Sequence, residues 1–369
     1  MVGAPSIGIA VIGAGQVARR GHLPAFKAQP GMDVLAIMDI DAGLAERVAA
    51  EFQIPHWCGS HETLLEVPNV DLVDICTPPQ MRFPIIEAAA RAGKHILVEK
   101  PLATSLSDAL AIREVVNRHG VLLNVVTNYR YFPAVLKAKE RIASGRLGRI
   151  VTMNTLVSQP FPSDNTRSTW FYHPAGMLFD FAPHAVDLLM WLCDGIVERV
   201  VALGQDVTGG DMGFTNYLQL LMEFDSRAIA SADISWVTGT SRFTVDVHGT
   251  GGHVSIDVRN NSFMELHGSF TPLDDTKAFL RRVLGITRDV LTGKYFQGAF
   301  AYYPQLMQEF IGSIHGIRRV PSPIEQGLMV TAVLDAAHQS LCHGGTPVCV
   351  RDLFPSPALY EEIVAVLRG

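Results

Sequence analysis

Five runs in the first third of the chain are apolar almost without a break: Ile7–Ile12, Val34–Asp39, Leu72–Cys76, His95–Val98 and Val121–Val126. Runs that do not alternate polar with apolar suit parallel strands covered on both faces. Helical patterns lie between them at Ala42–Phe52, Ile85–Ala92 and Ser107–Arg118. Strand, helix, strand in repetition predicts a doubly wound parallel sheet, and this places residues 1–127 in one α/β domain.

Near Pro133 the pattern changes. "PAVLKAKERIASG" reads as a helix with proline in its first turn. "RIVTMNTLVS", "YLQLLMEF", "AIASADISWV" and "FTVDVHGT" then follow as strands with few helices between them. This predicts an α+β domain over 128–369 with a largely antiparallel sheet. Helices are expected at 303–316, at 324–343 and from Ala358 to the end. In 275–300, "KAFLRRVLGITRDVL" looks helical and "GKYFQGAF" looks like a loop. Two domains also suit a length of 369 residues.

Composition narrows the function classes. Hydrophobic residues make up 48% and charged residues 18%, as in a soluble globular enzyme. A net charge of −6 without a basic cluster argues against nucleic acid as a partner. No apolar run approaches the ~18 residues of a membrane span. Five cysteines without a CxxC pair, and Arg19 and Arg20 placed after the apolar "IGIAVIGAG" instead of before it, point to reduced thiols in a cytoplasm.

"IAVIGAGQVARR" holds Gly13, Gly15 and Ala18 in a GxGxxA pattern between a predicted strand and a predicted helix. The first glycine allows the tight turn, and the second lets backbone approach a pyrophosphate. Ala18 permits close packing of helix on strand. Gln16 and Val17 open that helix, whose free N–H groups favour an anion. Asp39, at the end of the second run, suits a ribose 2′-hydroxyl and repels a 2′-phosphate. Ile40 and Asp41 supply no basic partner for such a phosphate, so NAD is expected over NADP. Thr77 and Pro78, after the third run, are further candidate cofactor contacts, as is Asn128.

With "DICTPPQ", "AGKHILVEKPLA", "NYRYFPAVLKAKERIASGRLGRI" and "AGMLFDFAPHAVDLLMWL" added, the chain resembles the Gfo/Idh/MocA family of nicotinamide-dependent oxidoreductases from Ile7 to about Val350. The resemblance implies an N-terminal Rossmann domain and a C-terminal α+β domain whose open antiparallel sheet often forms an oligomer interface, as a homodimer or homotetramer. It makes Lys100, in "EKP", the group that reaches the substrate hydroxyl and stabilises a developing alkoxide. Glu99 would orient either the cofactor or Lys100. Where the family commonly has a histidine after "CTPP", this chain has Arg82, which could meet an anionic substrate or touch the cofactor.

Asp180 and His184, four residues apart at a helix entrance, share one face. Gly195 suits the end of that helix. Histidine near its ordinary pKa is a fitting acid–base group for alcohol–ketone interconversion, and the family pattern makes His184 the proton acceptor and Asp180 a group that binds substrate or orients, with both in contact with substrate. Asp187 either binds substrate or supports the helix. Arg130, Trp170 and Tyr172 are candidate substrate contacts, the last two in a loop rich in aromatics that can stack on a sugar. His338, Cys342 and His343 lack a closed four-ligand spacing, so no metal is expected. The expected activity is hydride transfer between NAD and a secondary alcohol of a sugar, glycoside or cyclitol. The alternatives are a glycoside hydrolase using NAD for transient oxidation and elimination, and a non-catalytic cofactor sensor.

Overall fold

The computed structural model describes residues 6–161, 176–210, 212–267 and 298–369, together with 276, 280, 283, 284, 287 and 290. The described positions between 276 and 290 are helical. Trp170 and Tyr172 lie outside the described residues, as does most of "GKYFQGAF".

The chain forms two compact units, one of Met1–Asn128 with Phe300–Thr331 and one of Tyr129–Ala299 with Ala332–Gly369. The first is built on six parallel strands: β1 (Ile7–Ile12), β2 (Met32–Met38), β3 (His56–Cys58), β4 (Leu72–Ile75), β5 (His95–Val98) and β6 (Leu123–Val125). Their order is β3-β2-β1-β4-β5-β6, a doubly wound sheet whose order reverses between β1 and β4. In such sheets ligands bind outside the carboxyl ends of the strands at that reversal. Every residue of β1 is buried, which explains its unbroken apolar sequence. Crossovers run through α1 (Leu23–Lys27), α2 (Ala42–Phe52), α3 (His61–Leu65), α4 (Arg82–Arg91) and α5 (Leu106–His119). Asp41 caps α2 by accepting from the Leu44 N–H at 3.1 Å, and Ser105 caps α5 through the Asp108 N–H at 3.1 Å.

The first unit is completed from far along the chain. The Ser322 N–H donates to Asn124 Oδ1 at 2.8 Å, and the Val125 N–H donates to the Ser322 carbonyl at 3.0 Å, so the returning segment lies along β6. Arg113 pairs with Glu325 at 3.1 Å, both largely buried. Gly327 has no room for a side chain, because a Cβ there would stand 2.6 Å from a Val125 methyl.

The second unit holds an eight-stranded sheet. Its strands are β7 (Ile150–Pro160), β8 (Val197–Gln205), β9 (Tyr217–Phe224), β10 (Ile229–Ser235), β11 (Val237–Gly249), β12 (Gly252–Asp257), β13 (Ser262–His267) and β14 (Val348–Cys349). The order is β13-β12-β11-β7-β10-β9-β8-β14, with antiparallel neighbours except for β7 and β10, which run parallel. Along β9 and β10 buried residues alternate with accessible ones, as expected for a sheet with one covered face. The covered face packs on α8 (Ala182–Cys193), and Ser340, in the helix Ile324–Cys342, accepts the Ala202 N–H at 2.9 Å. Helix α6 (Pro133–Ala143) lies against β12 and β13.

Helix α8 ends just before Gly195, with the left-handed residue one position earlier. Asp194 takes the left-handed conformation at φ 49° and closes the helix through its N–H to the Met190 carbonyl. Gly195 follows at the helix end, donating its N–H to the same Met190 carbonyl at 3.2 Å, and it also serves space: a Cβ there would stand 2.7 Å from the Phe224 ring.

Candidate active site

The turn after β1 has the form a pyrophosphate needs. Gly13 sits at φ +99°, and a Cβ on it would stand 3.0 Å from the Cys76 backbone, so both conformation and space demand glycine. At Gly15 a Cβ would meet nothing within 4 Å; the turn is open there to an approaching group. Ala18 is fully buried, while Gln16 and Val17 are exposed at the helix start. The segment Ala18–His22 then widens into a π-turn before α1.

Asp39 stands just beyond β2 with its carboxylate held by backbone donors. Oδ2 accepts the Ala14 N–H at 2.8 Å and Oδ1 the Asp41 N–H at 3.0 Å. A carboxylate is thus fixed beside the glycine turn, as ribose recognition requires. At the end of β4, the buried Thr77 Oγ1 has no hydrogen-bond partner among the described residues. An orphaned hydroxyl, an open glycine turn and a fixed carboxylate at one sheet edge fit a dinucleotide. Pro78 is exposed and Asn128 buried.

Lys100 leaves β5 at the same carboxyl edge, and its bond to Pro101 is cis. The backbone around it is held from two sides. Arg82, 2% exposed, donates from Nε and Nη2 to the Thr77 carbonyl at 3.0 and 2.7 Å, and from Nη1 to the carbonyls of Glu99 and Pro101. Burial pulls this guanidinium down to about 10 against the opposing pull of Glu99, so it stays charged near neutrality. The expectation that Arg82 faces substrate or cofactor is therefore corrected, because its donors are directed at the backbone on either side of Lys100.

On the other side lies a buried cluster that the sequence reading did not single out. His22 is wholly buried, with Nδ1 2.8 Å from Asp74 Oδ2 and Nε2 3.0 Å from Glu99 Oε1. The Tyr303 hydroxyl donates to the same Glu99 oxygen at 2.9 Å, and Glu99 Oε2 accepts the Lys100 N–H at 3.1 Å. Glu99, 6% exposed, thus turns its carboxylate toward protein groups. The signal was a charged residue, Asp74, in the middle of an apolar parallel strand.

In the second unit, Asp180 ends α7 (Gly176–Asp180) and His184 lies in the first turn of α8. They do not share one uninterrupted helix. Pro183 has no N–H for the Phe179 carbonyl, and the helix breaks at Phe181, which nevertheless keeps helical torsions at φ −98° and ψ −36°. Both residues are half-buried. The His184 ring meets Tyr129 edge-on, with centroids 4.6 Å apart.

Arg130 is a buried strut. Its Nε donates to Asp187 Oδ2 at 2.9 Å, Nη2 donates to Asp187 Oδ1, and its guanidinium lies 5.6 Å from the Trp191 ring centroid. Asp187 accordingly supports α8. Elsewhere in this unit, Cys342 Sγ lies 3.8 Å from His338 Nε2.

Comparison with known proteins agrees with the fold. Residues 7–127 match the oxidoreductase family model with an NAD-binding Rossmann fold, and residues 135–255 match the GFO/IDH/MocA C-terminal domain. The chain is 29% identical over 252 residues to scyllo-inositol 2-dehydrogenase (NAD(+)) of Bacillus subtilis, covering 67% of this chain and 72% of that protein. It is 27% identical over 246 residues to levoglucosan dehydrogenase of Pseudarthrobacter phenanthrenivorans, covering 59% of this chain and 63% of that protein. The crystal structure of an oxidoreductase from Agrobacterium radiobacter, in complex with NAD+, L-tartaric acid and magnesium, shares the fold with a TM-score of 0.80 at 19% identity, covering 95% of this chain and all of that one. With both domain models matched in order along one chain, this protein belongs to the Gfo/Idh/MocA family of oxidoreductases and carries an NAD-binding Rossmann domain.

Proposed function

We propose that the protein is an NAD-dependent dehydrogenase acting on a secondary alcohol of a sugar, glycoside or cyclitol. The observation that carries this reading is the carboxyl edge of the first unit's sheet, where the glycine turn and the fixed Asp39 carboxylate share an edge with Lys100. Bound NAD supplies the hydride acceptor. Gly13, Gly15, Gln16, Val17, Asp39, Thr77 and Pro78 would hold it, and the Asp39 charge favours NAD over NADP.

Lys100 holds the substrate oxygen and stabilises the alkoxide that forms as the hydroxyl proton is removed and that becomes the ketone oxygen. His184 takes the hydroxyl proton, and Asp180 orients it. The two relatives named above support the substrate class, one being named for an inositol and the other for an anhydrosugar.

Lys100→Ala and His184→Ala test these roles. Each is expected to lower kcat by about 10²–10⁴-fold, the usual worth of a positioned acid–base or electrostatic group. NAD affinity, read by fluorescence titration, should stay within about threefold, under 1 kcal/mol. Undiminished turnover in either variant would remove that residue from the mechanism.

The chain is further proposed to assemble as a homodimer or homotetramer through the accessible face of the eight-stranded sheet. Leu203, Leu221 and Ile229 are each about half-exposed on strands β8, β9 and β10. Light scattering on Leu221→Lys, compared with wild type, tests the interface; an unchanged mass would place the contact elsewhere.

A further inference from the structure

We propose that His22 is a positioning residue for the reaction: seated on Asp74, it holds the Glu99 carboxylate that fixes the Lys100 backbone, and Tyr303 closes the same clamp. The inference rests on the role given to Lys100 above.

The geometry defines the chemistry. Asp74 reaches His22 Nδ1 at 2.8 and 2.9 Å, and Glu99 reaches Nε2 at 3.0 Å. An ionised carboxylate only accepts hydrogen bonds, so a ring with a carboxylate on each nitrogen must donate from both and is an imidazolium. Burial pulls the His22 pKa down, but the charge and hydrogen bond of Asp74 outweigh it and leave the pKa well above 6.5. Burial pushes Glu99 up, yet His22, Lys100 and Arg82 together bring it below its ordinary value. Positive and negative forms thus sustain each other where water cannot reach.

Glu99 is the hub of this clamp. Oε1 takes His22 and the Tyr303 hydroxyl, and Oε2 takes the Lys100 N–H. The side chain of residue 99 therefore sets the backbone of residue 100 directly, and His22 and Tyr303 set the side chain of residue 99. His22 occupies the end of the π-turn that follows the glycine turn, a type of helix irregularity frequent at functional sites. Tyr303 comes from the returning segment and also packs against the His22 ring, with centroids 4.9 Å apart. Residues far apart in the chain thus converge on one N–H beside the candidate catalytic lysine.

The same corner has a second chemical possibility. His22, Asp74 and Cys76 offer ligand atoms close enough together to hold a metal ion. Burial and the Asp74 charge push the Cys76 thiol up to about 12. The hydrogen-bonded clamp accounts for the cluster without a metal.

The test uses His22→Gln, Tyr303→Phe, Glu99→Gln and the double variant His22→Gln/Glu99→Gln in the full-length protein with NAD. His22→Gln should lower kcat about tenfold while KM and NAD affinity hold, because a displaced lysine costs the chemical step more than binding. Tyr303→Phe should show the same split with a smaller loss, and it decides the matter if His22→Gln does not fold. Adding His22→Gln to Glu99→Gln should cost nothing further in kcat, since the hub is already gone.

Unchanged kcat in the single variants, or a loss that adds in full to that of Glu99→Gln, would overturn the proposal. So would a stoichiometric metal in the purified protein that His22→Gln abolishes. Lys100→Ala separates the two readings. If that variant turns over normally, the role given to Lys100 fails. If it is inactive while His22→Gln and Tyr303→Phe match wild type, only the clamp fails.

Discussion

The exit of β5 and the entrance of α8 each present a candidate catalytic group, but they are built in different ways. Around Lys100 the backbone is fixed by side chains distant in sequence: His22 stands 77 positions from Glu99, Tyr303 204 positions, and Arg82 17 and 19 positions from the Glu99 and Pro101 carbonyls. Around His184 the described neighbours are the short helix ending at Asp180, the break at Phe181 and the ring of Tyr129 from earlier in the chain. Buried charge does carry weight there too, but through one ion pair, Arg130–Asp187, farther along α8. The β5 exit is thus a networked site, in which one loss is felt by several partners.

The largest expected effect comes from breaking the network at Arg82. Arg82→Met leaves the buried carbonyls of Thr77, Glu99 and Pro101 without their donor. At about 1–3 kcal/mol for each unsatisfied group, the loss should reach about 4 kcal/mol or more in urea unfolding. Arg130→Met strips the partner from the buried Asp187 and should cost about 3 kcal/mol, with less effect on Lys100 chemistry. A larger loss for Arg130→Met than for Arg82→Met would reverse the comparison.

Next in size is cofactor choice. Asp39→Ala removes a charged acceptor and should weaken NAD binding roughly 10- to 100-fold, corresponding to about 1.5–3 kcal/mol for a charged hydrogen bond. Binding of NADP should improve at the same time. An NAD affinity that does not change would detach Asp39 from the ribose.

The smallest expected effect is a pH signature confined to the networked site. The folded-state pKa of His22 is raised, so its contribution to stability is complete below the unfolded value of 6.5 and is lost as pH rises through the folded value. That of Glu99 is lowered, so its contribution is complete above 4.5 and is lost as pH falls through the folded value. The clamp is therefore fully formed between these limits. The stability advantage of wild type over His22→Gln should shrink as pH rises from 6.5, as measured by urea unfolding across that range. A constant difference would mean that His22 binds the same proton in the folded and unfolded states, so that its folded pKa is not raised.

The same contrast decides what the sequence discloses. Strands β1 and β5 are legible to the residue, since each is an apolar run buried on both faces. Strand β3 is not, because "HWC" is short, mostly accessible and at the sheet edge. Local pattern places Asp180 and His184 at a helix entrance, and the break between their two helices escapes that reading. The clamp escapes it almost entirely, because His22, Asp74 and Tyr303 acquire meaning only once strand order and the returning segment bring them together. Arg82 stands out in the sequence because the family commonly has a histidine there, but that difference alone does not tell a buried strut from a substrate contact. The donors it spends on backbone carbonyls do.

The most direct test of the proposed function is turnover of the purified protein with NAD across sugars, glycosides and cyclitols, recording nicotinamide absorbance and product mass together. The account predicts stoichiometric NADH and a product two hydrogens lighter than its substrate. A cleaved glycoside without accumulated NADH would contradict it and assign the same residues to redox-assisted hydrolysis.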